Sequence, residues 1–360
     1  MALARPLAPK SAPLAWSTGQ SIDHEPRALA FRQVALLGNH LPRKCGIATF
    51  TTDLSTAIAD ECPALDCLVV AMNDAGHTHA YPPMVRFEIE ENDVASYRRA
   101  VDFLNVSTVD VVSLQHEYGI FGGKAGALIL PLLAELRMPI VTTLHTILAD
   151  PDPEQRRVMD EICRLSERLV VMSTHSAALL AQVHGVDPGK IDVIPHGIPE
   201  VMFAPGDKQR LGLAGTAVIL TFGLLSPDKG IEHVIDALPA ILAAHPETVY
   251  VVLGATHPHV LEDSGEAYRV MLESRAQRLG VDGQMIFHDR FVSQAELGEF
   301  LAAADIYVTP YLNPEQSTSG TLAYAVGAGK AVVSTPYRYA TELLAEGRGI
   351  LVHYRDPAAI

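Results

Sequence analysis

The 360 residues hold 27 Lys and Arg against 42 Asp and Glu, a formal charge of −15, with 48% hydrophobic and 19% charged residues. That balance is ordinary for a globular protein and makes the chain a poor general partner for nucleic acid or for an anionic membrane surface. No run of about 18 apolar residues occurs, so no membrane span is expected, and the length predicts two domains.

Residues 1–29 are broken by prolines and lack an apolar h-region; they read as a disordered tail and not as a signal peptide. Cys45, Cys62, Cys67 and Cys163 are scattered without metal-type pairing, which fits a reducing cytoplasm. Strand-length apolar runs follow at 33–38, 66–72, 109–115, 139–145, 168–173 and 191–197, with helix-length amphipathic stretches such as GIATFTTDLSTAIADE between them. Continuous apolar strands alternating with helices predict a parallel sheet covered on both faces. The pattern breaks at PEVMFAPGDKQRLGLAG (199–215), rich in Pro and Gly, and restarts with AVILTFG, ETVYVVLG, QMIFHD, DIYVTP, AVVST and GILVH. The prediction is α/β: two tandem doubly wound Rossmann-like domains, over 30–204 and 205–360. The final YRDPAAI looks like the start of a helix, so the second domain is expected to be truncated.

Five groups stand at the C-terminal ends of predicted strands. Gly38–Gly46 joins the first strand to a helix, as a site loop or as a turn in which Gly46 only relieves backbone strain. Gln115–Gly123 is a glycine-rich polar loop holding His116 and Glu117. His145 ends TTLHTI, as a site residue or as a hydrogen-bonded core histidine. Lys229 in GLLSPDKG sits at a helix start, where a cation opposes the macrodipole and needs another reason to be there. The loop Gln316–Thr321 follows a strand and opens an alanine-rich helix. Its free backbone N–H groups converge on a site suited to a phosphate or diphosphate.

Together these groups resemble the retaining group 1 glycosyltransferases of GT-B fold, over roughly residues 30 to 356. The most specific parts are GLLSPDKGIEHVIDALPAIL, VSQAEL…ADIYVTP and the glycine-rich helix before AVVST; KIDVIPHGIPE looks like the end of the N-terminal domain. The resemblance implies an N-terminal acceptor-binding domain and a C-terminal nucleotide-sugar-binding domain. It implies a hexosyltransferase that retains anomeric configuration. Lys229 and the backbone of Ser319, Gly320 and Thr321 would hold the donor diphosphate. His145 would lie beside the reacting carbon, and Gly46 would lie against donor phosphate or acceptor. His116 and Glu117 are candidates to orient or deprotonate the acceptor hydroxyl. The family's Glu-x7-Glu pair is replaced by Gln316 and Tyr324, and its usual arginine by Leu224; Arg290 is the candidate for the missing positive charge. No cofactor beyond the nucleotide sugar and no metal is expected. The partners expected are that donor and a sugar or other hydroxyl acceptor, with a homodimer left open. Guanosine with mannose is set slightly ahead of uridine with glucose.

Other strings carry less. Asp150-Pro151-Asp152 fits an N-cap with Pro at N1 better than a metal-binding D-x-D. Gly327–Lys330 lacks the first glycine and the Ser/Thr of a phosphate loop. No G-x-G-x-x-G follows the first strand, which counts against a nicotinamide enzyme. His175, His257 and His259 have no metal-ligand spacing. The rival readings are an epimerase of the same architecture and a non-catalytic nucleotide-sugar binder. A phosphorylase-like enzyme would need a pyridoxal phosphate lysine, with Lys330 the one lysine near the loop.

Overall fold

The computed structural model describes residues 31–74, 76–200 and 207–360. The tail expected over 1–29 and the boundary expected at 204/205 lie outside the described residues. Phe31–Ile360 pack as one compact unit.

The first lobe is built on strands β1 (Gln33–Gly38), β2 (Asp66–Asn73), β3 (Val85–Glu90), β4 (Val111–His116), β5 (Ile140–Leu144), β6 (Arg168–Val171) and β7 (Ile191–Val193). Helices α1 (Gly46–Glu61), α2 (Val94–Val106), α3 (Ile129–Glu135), α4 (Pro153–Leu165) and α5 (Thr174–His184) connect them. The strands pair in parallel in the order β3-β2-β1-β4-β5-β6-β7. The chain therefore reverses its winding between β1 and β4, and ligands of open α/β sheets sit outside such a switch point.

The second lobe repeats the plan with β8 (Ala217–Phe222), β9 (Thr248–Leu253), β10 (Met285–His288), β11 (Ile306–Thr309), β12 (Ala331–Ser334) and β13 (Ile350–Leu351), in the order β10-β9-β8-β11-β12-β13. Its helices are α6 (Asp207–Arg210), α7 (Ile231–Ala244), α8 (Pro258–Ser264), α9 (Ala267–Leu279), α10 (Gln294–Ala303), α11 (Gly320–Gly327) and α12 (Arg338–Leu343). The switch point here lies between β8 and β11. Val218, Leu220 and Phe222 of β8 enter one core with Tyr307 and Leu322, while Ile219 enters the opposite core with Tyr250 and Leu272. A strand buried on both faces needs apolar side chains at every position, which is why it reads as an unbroken run. Burial contributes roughly 1.5–3 kcal/mol for each such large side chain.

The two Rossmann-like domains expected from the sequence are present. β3 was not expected: VRFEIE alternates charged and apolar residues at the sheet edge, and its burial alternates with them. Among the described residues no helix is long and apolar enough to cross a membrane.

The lobes are tied at several points. Phe50 of α1 and Ile198 pack against the second lobe's core, and Met172 is part of it. The Glu342 carboxylate of α12 accepts from the N–H groups of Thr174 (2.8 Å) and His175 (3.2 Å), capping α5 across the junction. The Tyr324 hydroxyl donates to Asp53 Oδ2 at 2.7 Å.

Candidate active site

In the second lobe, the loop after β11 turns into α11 behind Ser319, whose hydroxyl accepts from Leu322 N–H (3.3 Å) and caps the helix. Capping by a serine is the usual way to satisfy one of the free N–H groups of a first turn. Gln316 braces the approach by donating its amide N–H to the Thr318 carbonyl (2.8 Å).

Lys229 reaches the same place from β8. It ends the short turn Pro227–Lys229, and Gly230 follows in the left-handed region (φ 64°). A side chain at 230 would meet the Pro310 carbonyl at 2.3 Å, and Leu312 N–H donates to the Asp228 carbonyl (2.8 Å). The turn thus docks on the segment after β11 and holds the Lys229 ammonium 3.8 Å from the centre of the buried Tyr311 ring. A cation over an aromatic face is held electrostatically, which accounts for a lysine next to a helix start. The Tyr311 hydroxyl and Thr321 Oγ1 are 2.9 Å apart, and Thr321 Oγ1 lies 3.2 Å from Ser319 Oγ. Lys229, Tyr311, Thr321 and Ser319 therefore form one continuous cluster around the start of α11.

The first lobe brings a histidine to the start of α11: a side chain at Gly320 would meet His196 Nε2 at 3.2 Å. His145 directly follows β5 and is 7% exposed; its Nε2 lies 3.2 Å from Gln115 Oε1. An amide oxygen only accepts, so the proton of the neutral ring is on Nε2 and Nδ1 keeps its lone pair. Burial first, then the neighbouring His196 and His116, push the His145 pKa down to about 3, so the ring is neutral at physiological pH. Phe50 stands edge-on to His145 (centroids 4.8 Å, 88°) and edge-on to His196 (5.1 Å, 75°).

Glu117 accepts from the Thr146 hydroxyl (2.7 Å) and from Tyr118 N–H (3.0 Å). Burial raises its pKa, against the lowering effect of those two bonds. His116 is fully buried between Phe121 (6.0 Å, stacked) and Tyr118 (5.1 Å, edge-on), with no partner on either ring nitrogen. Burial alone pushes its pKa down to about 3. A ring sealed in this way touches no solute, and of the pair His116 and Glu117 it is Glu117 that keeps some solvent exposure.

Of the other residues expected at the site, Gly46 is the first residue of α1, behind Cys45, whose sulfur accepts from Ala48 N–H (3.4 Å). Nothing lies within 4 Å of where its side chain would be. Arg290 is exposed and bound to Glu296 (2.7 Å) at the start of α10, with no contact to the cluster. Tyr324, where the family acid was expected, is buried and directed to the other lobe through Asp53. Sequence reasoning missed Tyr311, Phe50 and His196. Tyr311 directly follows the strand end already singled out, and His196 lies in IPHG, which reads only as a domain end.

Two family models match the chain: that of group 1 glycosyl transferases over residues 216–360 and that of glycosyltransferase family 4 over 31–200. The D-inositol 3-phosphate glycosyltransferase 2 of Catenulispora acidiphila is 29% identical over 241 residues, covering 61% of this chain and 55% of that protein. The D-inositol 3-phosphate glycosyltransferase of Segniliparus rotundus is 30% identical over 214 residues, covering 55% and 45%. The chain spans about half the length of the curated relatives it matches. Among solved structures, Anabaena Alr3699/HepE in complex with UDP and glucose superposes with a TM-score of 0.70 at 18% identity, over 91% of this chain and 87% of that one. Sucrose-phosphate synthase from Thermosynechococcus elongatus also gives 0.70, at 17% identity over 91% and 87%. At such identities the likeness speaks to the fold, which is GT-B.

Proposed function

This chain belongs to the group 1 glycosyltransferases, and on that premise we propose that it moves a hexose from a nucleoside diphosphate sugar to a hydroxyl acceptor with retention of configuration. One observation carries the reading. The Lys229 ammonium and the first turn of α11 meet in one cluster at the switch point of the second sheet, and His196 of the first lobe, which shares Phe50 with His145, lies on that turn at Gly320.

In such a transfer the bond from the sugar carbon to the diphosphate oxygen breaks and negative charge collects on the leaving group. Donors already aimed at that charge lower the barrier without reorganising. Lys229 and the N–H groups of Gly320 and Thr321 fill that role. His145, neutral and oriented by Gln115, lies beside the reacting carbon, and Glu117 orients the acceptor hydroxyl while His116 packs beneath it. UDP is the first nucleotide to test, because the solved neighbour holds it.

The test has two parts. Titration calorimetry of the full chain with UDP and GDP should give saturable binding to one of them. A donor carrying the matching base should then release nucleotide only with an added sugar acceptor, and NMR of the product should show the donor's anomeric configuration. Release without acceptor would favour an epimerase, binding without turnover a non-catalytic protein, and an inverted product would overturn the retaining reading.

A further inference from the structure

Helix α11 carries glycine at both ends, Gly320 and Gly327, seven residues apart and so on one face. The segment after β7 lies along that face. A side chain at 327 would meet Ile198 Cδ1 at 2.4 Å, and one at 320 would meet His196 Nε2 at 3.2 Å. The first lobe thus delivers an imidazole to the first residue of the helix that the donor reading assigns to the diphosphate. Its orientation is fixed twice. Nδ1 donates to the Gly197 carbonyl at 2.7 Å, and Phe50 holds the ring edge-on. With the proton on Nδ1, the nitrogen turned to Gly320 is Nε2, which carries a lone pair and has no partner among the described residues.

A phosphate oxygen bound at this helix start would meet that lone pair with one of its own. Two acceptors facing each other repel unless a proton lies between them. We propose that His196 is a donor-binding residue of this reaction: it takes a proton from solvent as the nucleoside diphosphate binds, donates Nε2–H to a phosphate oxygen, and returns the proton when the nucleotide leaves. This rests on the donor reading of α11 given above.

The groups around the ring permit the change. From β5, His145 stands behind Phe50. From α12, the Tyr339 hydroxyl is directed to the backbone of His196 and not to its ring. From α1, Asp53 lies one turn beyond Phe50 with its carboxylate on Tyr324. Among the described residues no carboxylate pairs with the ring, so without an anion nothing holds it charged. Burial lowers its pKa, and the Gly197 carbonyl works the other way.

The test is calorimetry of UDP binding to the full chain at pH 8, where free UDP is fully ionised, in two buffers of different ionisation enthalpy. The wild-type chain should take up close to one proton per UDP, and its affinity should fall as pH rises further. His196→Asn and His196→Gln should abolish the uptake, flatten the pH dependence and bind UDP roughly 10-fold more weakly at pH 6.5, as for loss of a charge-assisted hydrogen bond. UDP binding by the wild-type chain without proton uptake, or the same uptake in both variants, overturns the role of His196 and leaves the donor reading standing. Absence of binding by any nucleoside diphosphate overturns the donor reading itself.

Discussion

Two helices of this molecule begin with a glycine close behind a buried parallel strand, and they are furnished differently. At the start of α1, Gly46 faces open space, and the arginine of that loop is committed: Arg43 donates to Asn39 Oδ1 and Asp74 Oδ1, each at 2.6 Å. At the start of α11, Gly320 is covered by the His196 imidazole, and Lys229, Tyr311 and Thr321 gather beside it. The backbone dipoles of the two first turns are alike. What differs is the supply of further cations and donors, and that difference is why the proposed reading puts the diphosphate at α11 rather than at the roomier start of α1.

Proline substitution at the two glycines breaks this comparison most sharply. Gly320→Pro removes an N–H from the proposed phosphate site and drives ring atoms toward His196. It should weaken UDP binding by about 3 kcal/mol, or ~100-fold. Gly46→Pro should leave affinity within roughly 3-fold, because proline is tolerated at a first helical position and its ring meets nothing there. Calorimetry of both variants decides it; equal losses would erase the distinction between the helices. Lys229→Ala should cost about 1.5–3 kcal/mol of UDP affinity while uridine binds unchanged. Arg43→Ala and Arg290→Ala should change UDP affinity little, since each of those cations already has a carboxylate partner. Gln316→Glu should cost about 1 kcal/mol. The amide that donates to the Thr318 carbonyl is lost, and a carboxylate is placed near the diphosphate, so the loss should shrink in high salt.

The contrast also marks what the sequence made legible. Both sheets, their parallel sense and the strand ends bearing His145, Lys229 and the α11 loop followed from local patterns, because a strand buried on both faces shows itself as an apolar run. β3 did not, since an edge strand with charges on one face lacks that run. Tyr311, Phe50 and His196 escaped for a different reason. Each acts through a neighbour far along the chain: Tyr311 under Lys229, Phe50 between two histidines, His196 on Gly320. No local period encodes such a pairing. Replacement of the expected acid by Tyr324 was visible, but the carboxylate it binds came from α1 of the other lobe.

That bond gives the smallest effect and the one that reads the junction directly. Asp53 accepts from the Tyr324 hydroxyl at 2.7 Å and from the Gln294 amide at 3.4 Å, so one carboxylate of α1 holds α10 and α11. Burial raises its pKa, and the Tyr324 bond only partly opposes this. A carboxyl with a raised pKa in the folded state binds its proton more tightly there than in the unfolded chain. Its protonated form therefore favours folding, and that contribution fades as pH rises from the ordinary carboxylate range through the raised value. Asp53→Asn keeps an oxygen for Tyr324 and has no charge to bury. Its melting temperature relative to the wild-type chain should therefore rise between pH 4 and pH 7. Tyr324→Phe should lower the melting temperature at pH 7 by a few degrees at most, as for about 1 kcal/mol from one lost hydrogen bond. Scanning calorimetry of the three proteins at both pH values checks this. A difference between Asp53→Asn and wild type that stays constant with pH would show that the carboxylate is solvated, and that the lobes are joined by the apolar contacts of Phe50 and Ile198 instead.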